Sequence, residues 1–251
     1  MNKKLALALL TVGLSLGAIQ AEAACSDVSY ASLTAAAKNV LAAGKTDGLG
    51  LNMWVTFVDE TGKVCAVTTT GTTGALASRD EWLGSRVISA QKANTANAFS
   101  LNGLAISTGA LFAAVQPGGS LFGLQESNPV DAKTAYDGSP KKYGTNEDPL
   151  KGNRIGGVNV FGGGLAVYKN GVKIGAIGVS GDTSCTDHAF AWSVRDMLGL
   201  KGNPAAQVEA LTLTDVTPAD VRRNHLGTHP HCIGDEVIAT DTTLGFVVPA
   251  P

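Results

Sequence analysis

Leu165-Ala-Val-Tyr-Lys169-Asn170-Gly171-Val172-Lys-Ile-Gly-Ala-Ile-Gly-Val-Ser180 decides the fold. Two apolar runs flank Asn170-Gly171, the pair that most readily turns a β-hairpin because both residues accept a positive φ. Upstream, Val158 to Phe161 reads as another short strand. Gly162-Gly163-Gly164 lies between them and is expected to form a turn or bulge, although three glycines would also let a flat ligand approach the backbone. Downstream, Thr186 to Leu200 reads as a helix with Phe190, Val194, Met197 and Leu198 on its apolar face, and Gly199 or Gly202 ends it.

Nearer the N-terminus, Ser29 to Ala43 carries Tyr30, Leu33, Ala37 and Leu41 at helical spacing and stops at Gly44. Leu51 to Val58 and Lys63 to Thr70 form a second hairpin around Asp59-Glu-Thr-Gly62. Helices are expected over Ser85 to Phe99 and over Leu104 to Val115, the second halted by Pro117-Gly118-Gly119. The order helix, hairpin, helices, meander, helix predicts an α+β domain with one antiparallel sheet flanked by helices. Glu126 to Gly157 is long and polar for a plain connection, so it reads as a functional or oligomer-forming loop. The tail from Lys201 reads as irregular.

Lys3 and Lys4 precede an apolar run from Leu5 to Ile19, and Ala21-Glu22-Ala23 offers the small residues of a cleavage site. This is the pattern of a secretory signal peptide. Acylation of Cys25 fits less well, because Glu22 stands where a lipoprotein signal has an aliphatic residue. The expected organisation is therefore a leader at 1–23, a domain at 24–200 and an extension at 201–251. The run is too short to span a membrane, and no later stretch is long enough. Cleavage removes Lys3, Lys4 and Glu22 from 19 basic and 21 acidic residues, leaving 17 against 20 and a net charge near −3. Nothing in that balance attracts nucleic acid.

All four cysteines, Cys25, Cys65, Cys185 and Cys232, lie beyond the leader, and an even number in an exported chain favours two disulfides. Of three pairings, Cys25–Cys65 with Cys185–Cys232 is favoured, since each ties a loose terminus to the nearest half of the domain. A periplasmic or secreted location follows.

All four histidines fall in the last third: His188, His225, His229 and His231. The last three could bind a metal, but Gly227 and Pro230 argue against a helix there, and a solvated loop is favoured. Cys185, His188, His231 and Cys232 can also be drawn as a zinc site, although adjacent His-Cys ligands are awkward and export favours the disulfide. His188, Trp192 and Arg195 recur at i, i+4 and i+7, on the helix face opposite the apolar stripe. An imidazole, an indole and a guanidinium in line offer an axial ligand, a stacking surface and a propionate partner for haem; a polar helix face is the plainer reading. Without Cys-x-x-Cys-His, any haem is bound reversibly. Gly178-Val-Ser180-Gly181 lacks the full nucleophile-elbow spacing, so Ser180 is a weak candidate nucleophile.

Ser89-Ala-Gln-Lys92-Ala-Asn-Thr95-Ala96, Gly156-Gly157-Val158, and Ile174-Gly-Ala-Ile-Gly-Val-Ser-Gly181 followed by Asp187 resemble the GlcG/HbpS family of haem-binding proteins, over about Tyr30 to Leu200. The resemblance implies a profilin-like layered fold, symmetric homo-oligomers and haem as ligand, with haem breakdown and redox sensing in some relatives. Family members differ in their iron ligand. The matching positions are Lys92, Thr95, Gly181 and Asp187, joined by His188, Trp192 and Arg195 from the residue pattern, with His188 as the candidate iron ligand. The expected function is exported haem binding or scavenging, more a binding protein than an enzyme. The alternatives are an accessory subunit of an exported redox enzyme, for which the long loop is the sequence hint, and a haem-degrading enzyme.

Overall fold

The computed structural model describes residues 25–44 and 48–248, so the leader lies outside the described residues. Strands β1 (Trp54–Asp59) and β2 (Val64–Thr69) form the first hairpin. Its turn is held by the Asp59 carboxylate, which accepts from Thr61 N at 2.9 Å and Lys63 N at 3.0 Å. After helices α1 (Tyr30–Ala43) and α2 (Gly84–Phe99) and a short strand β3 (Leu104–Ile106), β4 (Gly164–Lys169) and β5 (Val172–Ser180) form the second hairpin. Asn170 and Gly171 have φ of 52° and 78°, the conformation their sequence demands. The sheet order is β2-β1-β5-β4, antiparallel throughout, with Trp54 opposite Ser180 and Asp59 opposite Gly175 at its centre.

Helices cover both faces. α1 and α3 (Ser184–Met197) lie on one, burying Leu33, Val40, Phe190 and Val194 against Val55, Phe57, Leu165 and Ile177. α2 lies on the other, with Val87, Ala90, Ala93 and Ala96 against Trp54, Val58 and Ala176. Burial on both faces is why β1 reads only weakly as an alternating strand: all six of its residues are buried. The alanine face of α2 lets the helix backbone touch the sheet. A side chain at Gly178 would collide with the main chain of Ser89 and Ala93, which is the packing reason for that glycine. The expected α+β sandwich of antiparallel sheet and flanking helices is thus the observed one.

Four expectations change. Leu104 to Val115 is not a helix: Leu104–Ile106 pairs in parallel with β6 (Ala206–Val208), and short 3₁₀ turns follow. An apolar run of that length suits a buried strand equally well, and the tail supplies its ladder. Val158 to Phe161 is not a strand, because its partners are side chains: Asn159 N donates to Thr95 Oγ1 at 2.9 Å, and Thr108 Oγ1 donates to Phe161 O at 2.5 Å. The long loop wraps the α2 face, burying Ala135, Tyr143, Leu150 and Ile155, and Asp148 pairs with the buried Arg86 at 2.9 and 2.5 Å.

The tail, finally, is packed structure. Beyond β6 it forms β7 (Thr212–Leu213) beside β8 (Thr228–His229), and Leu211, Leu213, Ile238, Leu244 and Phe246 make a core with Cys185 and Ala189 of α3. It covers completely the face of α3 expected to be polar: His188 and Arg195 are 0% exposed and Trp192 6%. Met197, expected on the apolar face, is instead half exposed. Among the described residues no helix is long and apolar enough to cross a membrane.

Candidate functional site

A cleft of about 290 Å³ opens between α2, the C-terminal end of β5 and the first turn of α3. Its floor is Lys92, whose ammonium donates to Asp187 Oδ2 at 2.7 Å and to Val179 O at 3.0 Å; both side chains of the pair are at most 3% exposed. The first turn of α3 is formed locally, since Thr183 accepts from Thr186 N and caps the helix. Asp187 sits in that turn, where a carboxylate suits the helix dipole, and also accepts from Asp182 N at 3.0 Å. Burial pushes the Asp187 carboxyl up to about 6, against the opposing pull of Lys92. Asp182 in turn accepts from Leu49 N at 2.9 Å and Leu51 N at 3.0 Å, fastening the segment that leads into β1.

Trp82 and Phe161 form the apolar walls and are 53% and 43% exposed; Ser85, Ser180 and Ser184 add hydroxyls. Phe161 reaches the cleft because the glycine run after it lies flat on the helices. Side chains at Gly162, Gly163 and Gly164 would strike Ser184, Val179 and Lys92 respectively, so close backbone packing accounts for the run.

Of the residues singled out in the sequence, Lys92 and Asp187 meet in this cleft. Thr95, one turn further along α2, positions Asn159, and Gly181 passes so close to Asn52 that a side chain would collide. His188, Trp192 and Arg195 are held together elsewhere, in the seam between α3 and the tail. His188 Nε2 lies 3.2 Å from Gly245 O, which makes that nitrogen the donor, and its ring packs on Trp192 and Phe246. Burial drives its pKa down to about 3, so the ring is neutral. Arg195 pairs with Glu209 at 2.6 Å and donates to Ala166 O at 3.0 Å. His225 and His231 are exposed as a solvated loop would have them, but His229 is 1% exposed, packs on Phe112 and has its pKa lowered to about 4 by burial. The sequence reading missed Trp82, Phe161 and Asp182; two aromatics beside breakers and flanking the Lys92 and Asp187 motifs were the available signal.

Both expected disulfides are present, Cys25–Cys65 and Cys185–Cys232, and no described cysteine is free. Residues 28–195, from just before α1 to the last turn of α3, match the family described as haem degrading protein HbpS-like. The chain belongs to the HbpS-like family. No curated protein matches the chain. Among solved structures it is similar to ORFY of Klebsiella pneumoniae, with 26% identity over 68% of this chain and 90% of that one and a TM-score of 0.45. It is also similar to PduOC in its haem complex (23%, 70% and 99%, TM-score 0.47) and to a double mutant of Streptomyces reticuli HbpS (17%, 79% and 99%, TM-score 0.35). The HbpS-like match contains the whole cleft and ends before the tail that buries His188.

Proposed function

We propose that this chain is an exported protein that binds haem reversibly at the cleft floored by Lys92. The observation that carries the reading is the Lys92 ammonium: two of its three N–H groups go to Asp187 and Val179, leaving one for a ligand carboxylate between two exposed aromatic walls. A haem offers flat apolar faces to Trp82 and Phe161 and a propionate to Lys92. The cleft therefore fits the periphery of the macrocycle. It offers the iron none of the imidazole, thiolate, thioether or phenolate donors that commonly hold haem. His188 is 0% exposed, with Nε2 on Gly245 O and Nδ1 buried, so we assign it to the tail seam. Bound haem supplies the iron centre; the chain's own residues grip its edge, orient it and shield one side from water.

Export is supported by the leader pattern at 1–23 and by two disulfides. Homo-oligomer formation, implied by the family, is part of the same proposal; a monomer mass by light scattering across a dilution series would remove it. The test of ligand binding is titration of the chain lacking residues 1–23 with hemin. A saturable Soret change at one equivalent is expected, weakened about tenfold or more in Lys92→Met, the loss of one charge-assisted hydrogen bond. No saturable change, or equal affinity in Lys92→Met, refutes the assignment.

A further inference from the structure

Cys185 and Cys232 join the first turn of α3 to the tail, with Cα atoms 6.0 Å apart. The tail brings more than a cysteine to this point. His229 Nδ1 lies 4.0 Å from Cys185 Sγ and Asp235 Oδ2 lies 3.9 Å from it. The donor atoms of Cys185, His229 and Cys232 are all within 4.8 Å of one another. Asp235 Oδ2 also accepts from Cys232 N at 2.7 Å and sits 3.1 Å from His231 Nδ1. Bonds of 2.0 to 2.3 Å from a tetrahedral Zn²⁺ to N, O and S separate neighbouring donors by about 3.3–3.8 Å, so His229 Nδ1 and Asp235 Oδ2, 4.0 and 3.9 Å from Cys185 Sγ, have to close by only a few tenths of an ångström, while the two sulfurs, bonded to each other in the disulfide, have to part by roughly 1.5 Å once it is reduced.

His229 is independently out of place as a structural residue. It is 1% exposed; Nδ1 lies 2.8 Å from Pro230 O, and Nε2 is buried with no partner. Nδ1 is the nitrogen turned toward the sulfurs. Asp235 is 5% exposed and already oriented by the Cys232 amide, with His231 behind it, the kind of outer support that fixes a ligand carboxylate.

We propose that the Cys185–Cys232 disulfide is the oxidised state of a divalent-metal site, and that the reduced chain binds one Zn²⁺-like ion through Cys185, Cys232, His229 and Asp235. A dithiol reductant gives two electrons and two protons, breaking the S–S bond to leave two thiols while the dithiol closes to its own disulfide. The metal then displaces the two thiol protons and binds both thiolates, the Asp235 carboxylate and neutral His229. His229 binds through Nδ1, its proton moving to Nε2. Soft thiolates with one imidazole and one carboxylate select zinc over magnesium or calcium. The site deletes no tie between tail and helix; it exchanges a covalent one for a coordinate one. The other cysteine pair has a carboxylate, Asp59, but no imidazole, and that carboxylate already serves the β1–β2 turn.

The test uses the chain from residue 24 onward with Cys25→Ser and Cys65→Ser, so that one cysteine pair remains. After anaerobic reduction and removal of the reductant, Co²⁺ is titrated in the absence of hemin. One equivalent should produce the intense visible bands of tetrahedral cobalt together with a near-ultraviolet thiolate charge-transfer band, and one equivalent of Zn²⁺ should erase them. The oxidised protein should show neither. His229→Gln and Asp235→Asn should each weaken Co²⁺ about tenfold or more. Limited proteolysis within 201–248 reports whether the tail stays docked after reduction. Absence of tetrahedral bands in the reduced protein, with the tail docked or released, overturns the proposal, as does unchanged Co²⁺ affinity in both variants.

Discussion

Replacing Lys92 by Met removes the ammonium and leaves the Asp187 carboxylate buried without its partner. The two side chains are 2% and 3% exposed and 2.7 Å apart, so water screens the pair little. Breaking a buried pair from one side costs about 3–5 kcal/mol, which lowers Tm by roughly 10 °C in a chain of this size. The loss depends on pH, with a defined sign. Asp187 titrates near 6 when folded, above its ordinary 3.8, so its stabilising contribution is fully present below pH ~4 and is lost as pH rises through 6. Without Lys92 its folded pKa moves higher still. At pH 8 the wild type holds an ionised carboxylate paired with Lys92, whereas the variant has to bury that carboxylate unpaired or keep it protonated, and either state costs stability. At pH 5 Asp187 is largely protonated in both, and what remains is near the cost of one hydrogen bond to Val179, about 1 kcal/mol. Urea unfolding of wild type, Lys92→Met and Lys92→Met/Asp187→Asn at pH 5 and 8, disulfides intact, measures this. The double variant should recover much of the loss at pH 8. An equal deficit at both pH values, or a double variant worse than the single, would falsify the argument.

Phe246→Ala should cost about 3–5 kcal/mol, because a fully buried ring between α3 and the tail is emptied, and limited proteolysis should then cut first within 201–248. His188→Ala should destabilise by about 2–4 kcal/mol through lost packing and a freed Gly245 carbonyl, while the affinity for hemin and the Soret position stay as in wild type; a shifted Soret band would return this residue to the iron. Burial pushes the Glu81 carboxyl up to about 7, with Oε1 unpartnered, so its contribution to stability fades as pH rises from 4.5 through 7. Glu81→Gln should therefore raise Tm at pH 8 relative to wild type and not at pH 5; the same difference at both pH values argues against this.

The parts of the fold that were legible are those with local chemistry. Asn170-Gly171 fixes one hairpin through backbone conformations, Asp59-Glu-Thr-Gly62 fixes the other through the Asp59 side chain, and α1 announces itself by Ser29 at one end and Gly44, with φ 62°, at the other. Leu104 to Val115 was illegible because its structure is decided from a distance: β3 exists only because Ala206–Val208 lies beside it, a partner a hundred residues away. The same holds for Val158 to Phe161, whose backbone is satisfied by Thr95 and Thr108, side chains that no periodicity reveals.

The site divides along the same line. Lys92 and Asp187 come from motifs on two helices that the sheet forces together, and the glycines between them are legible as places where backbones must touch. The setting of the His188 row was illegible for a different physical reason. A helix face carrying His, Trp and Arg has the composition of a polar surface, yet the tail buries it, Gly245 O taking the imidazole Nε2 and Glu209 one guanidinium nitrogen, while His188 Nδ1 and Arg195 Nε and Nη2 are buried without a hydrogen-bond partner. Such partners cost nothing in sequence pattern, because a backbone carbonyl is the same in every residue and one glutamate among many carries no mark. The consequence for function is directional. A tail that buries His188 and seals α3 keeps the imidazole out of the cleft, which is why the proposed ligand binding there rests on Lys92 and the two aromatic walls. The same tail delivers His229 and Asp235 to the Cys185–Cys232 bridge, where α3 by itself has only one sulfur to offer.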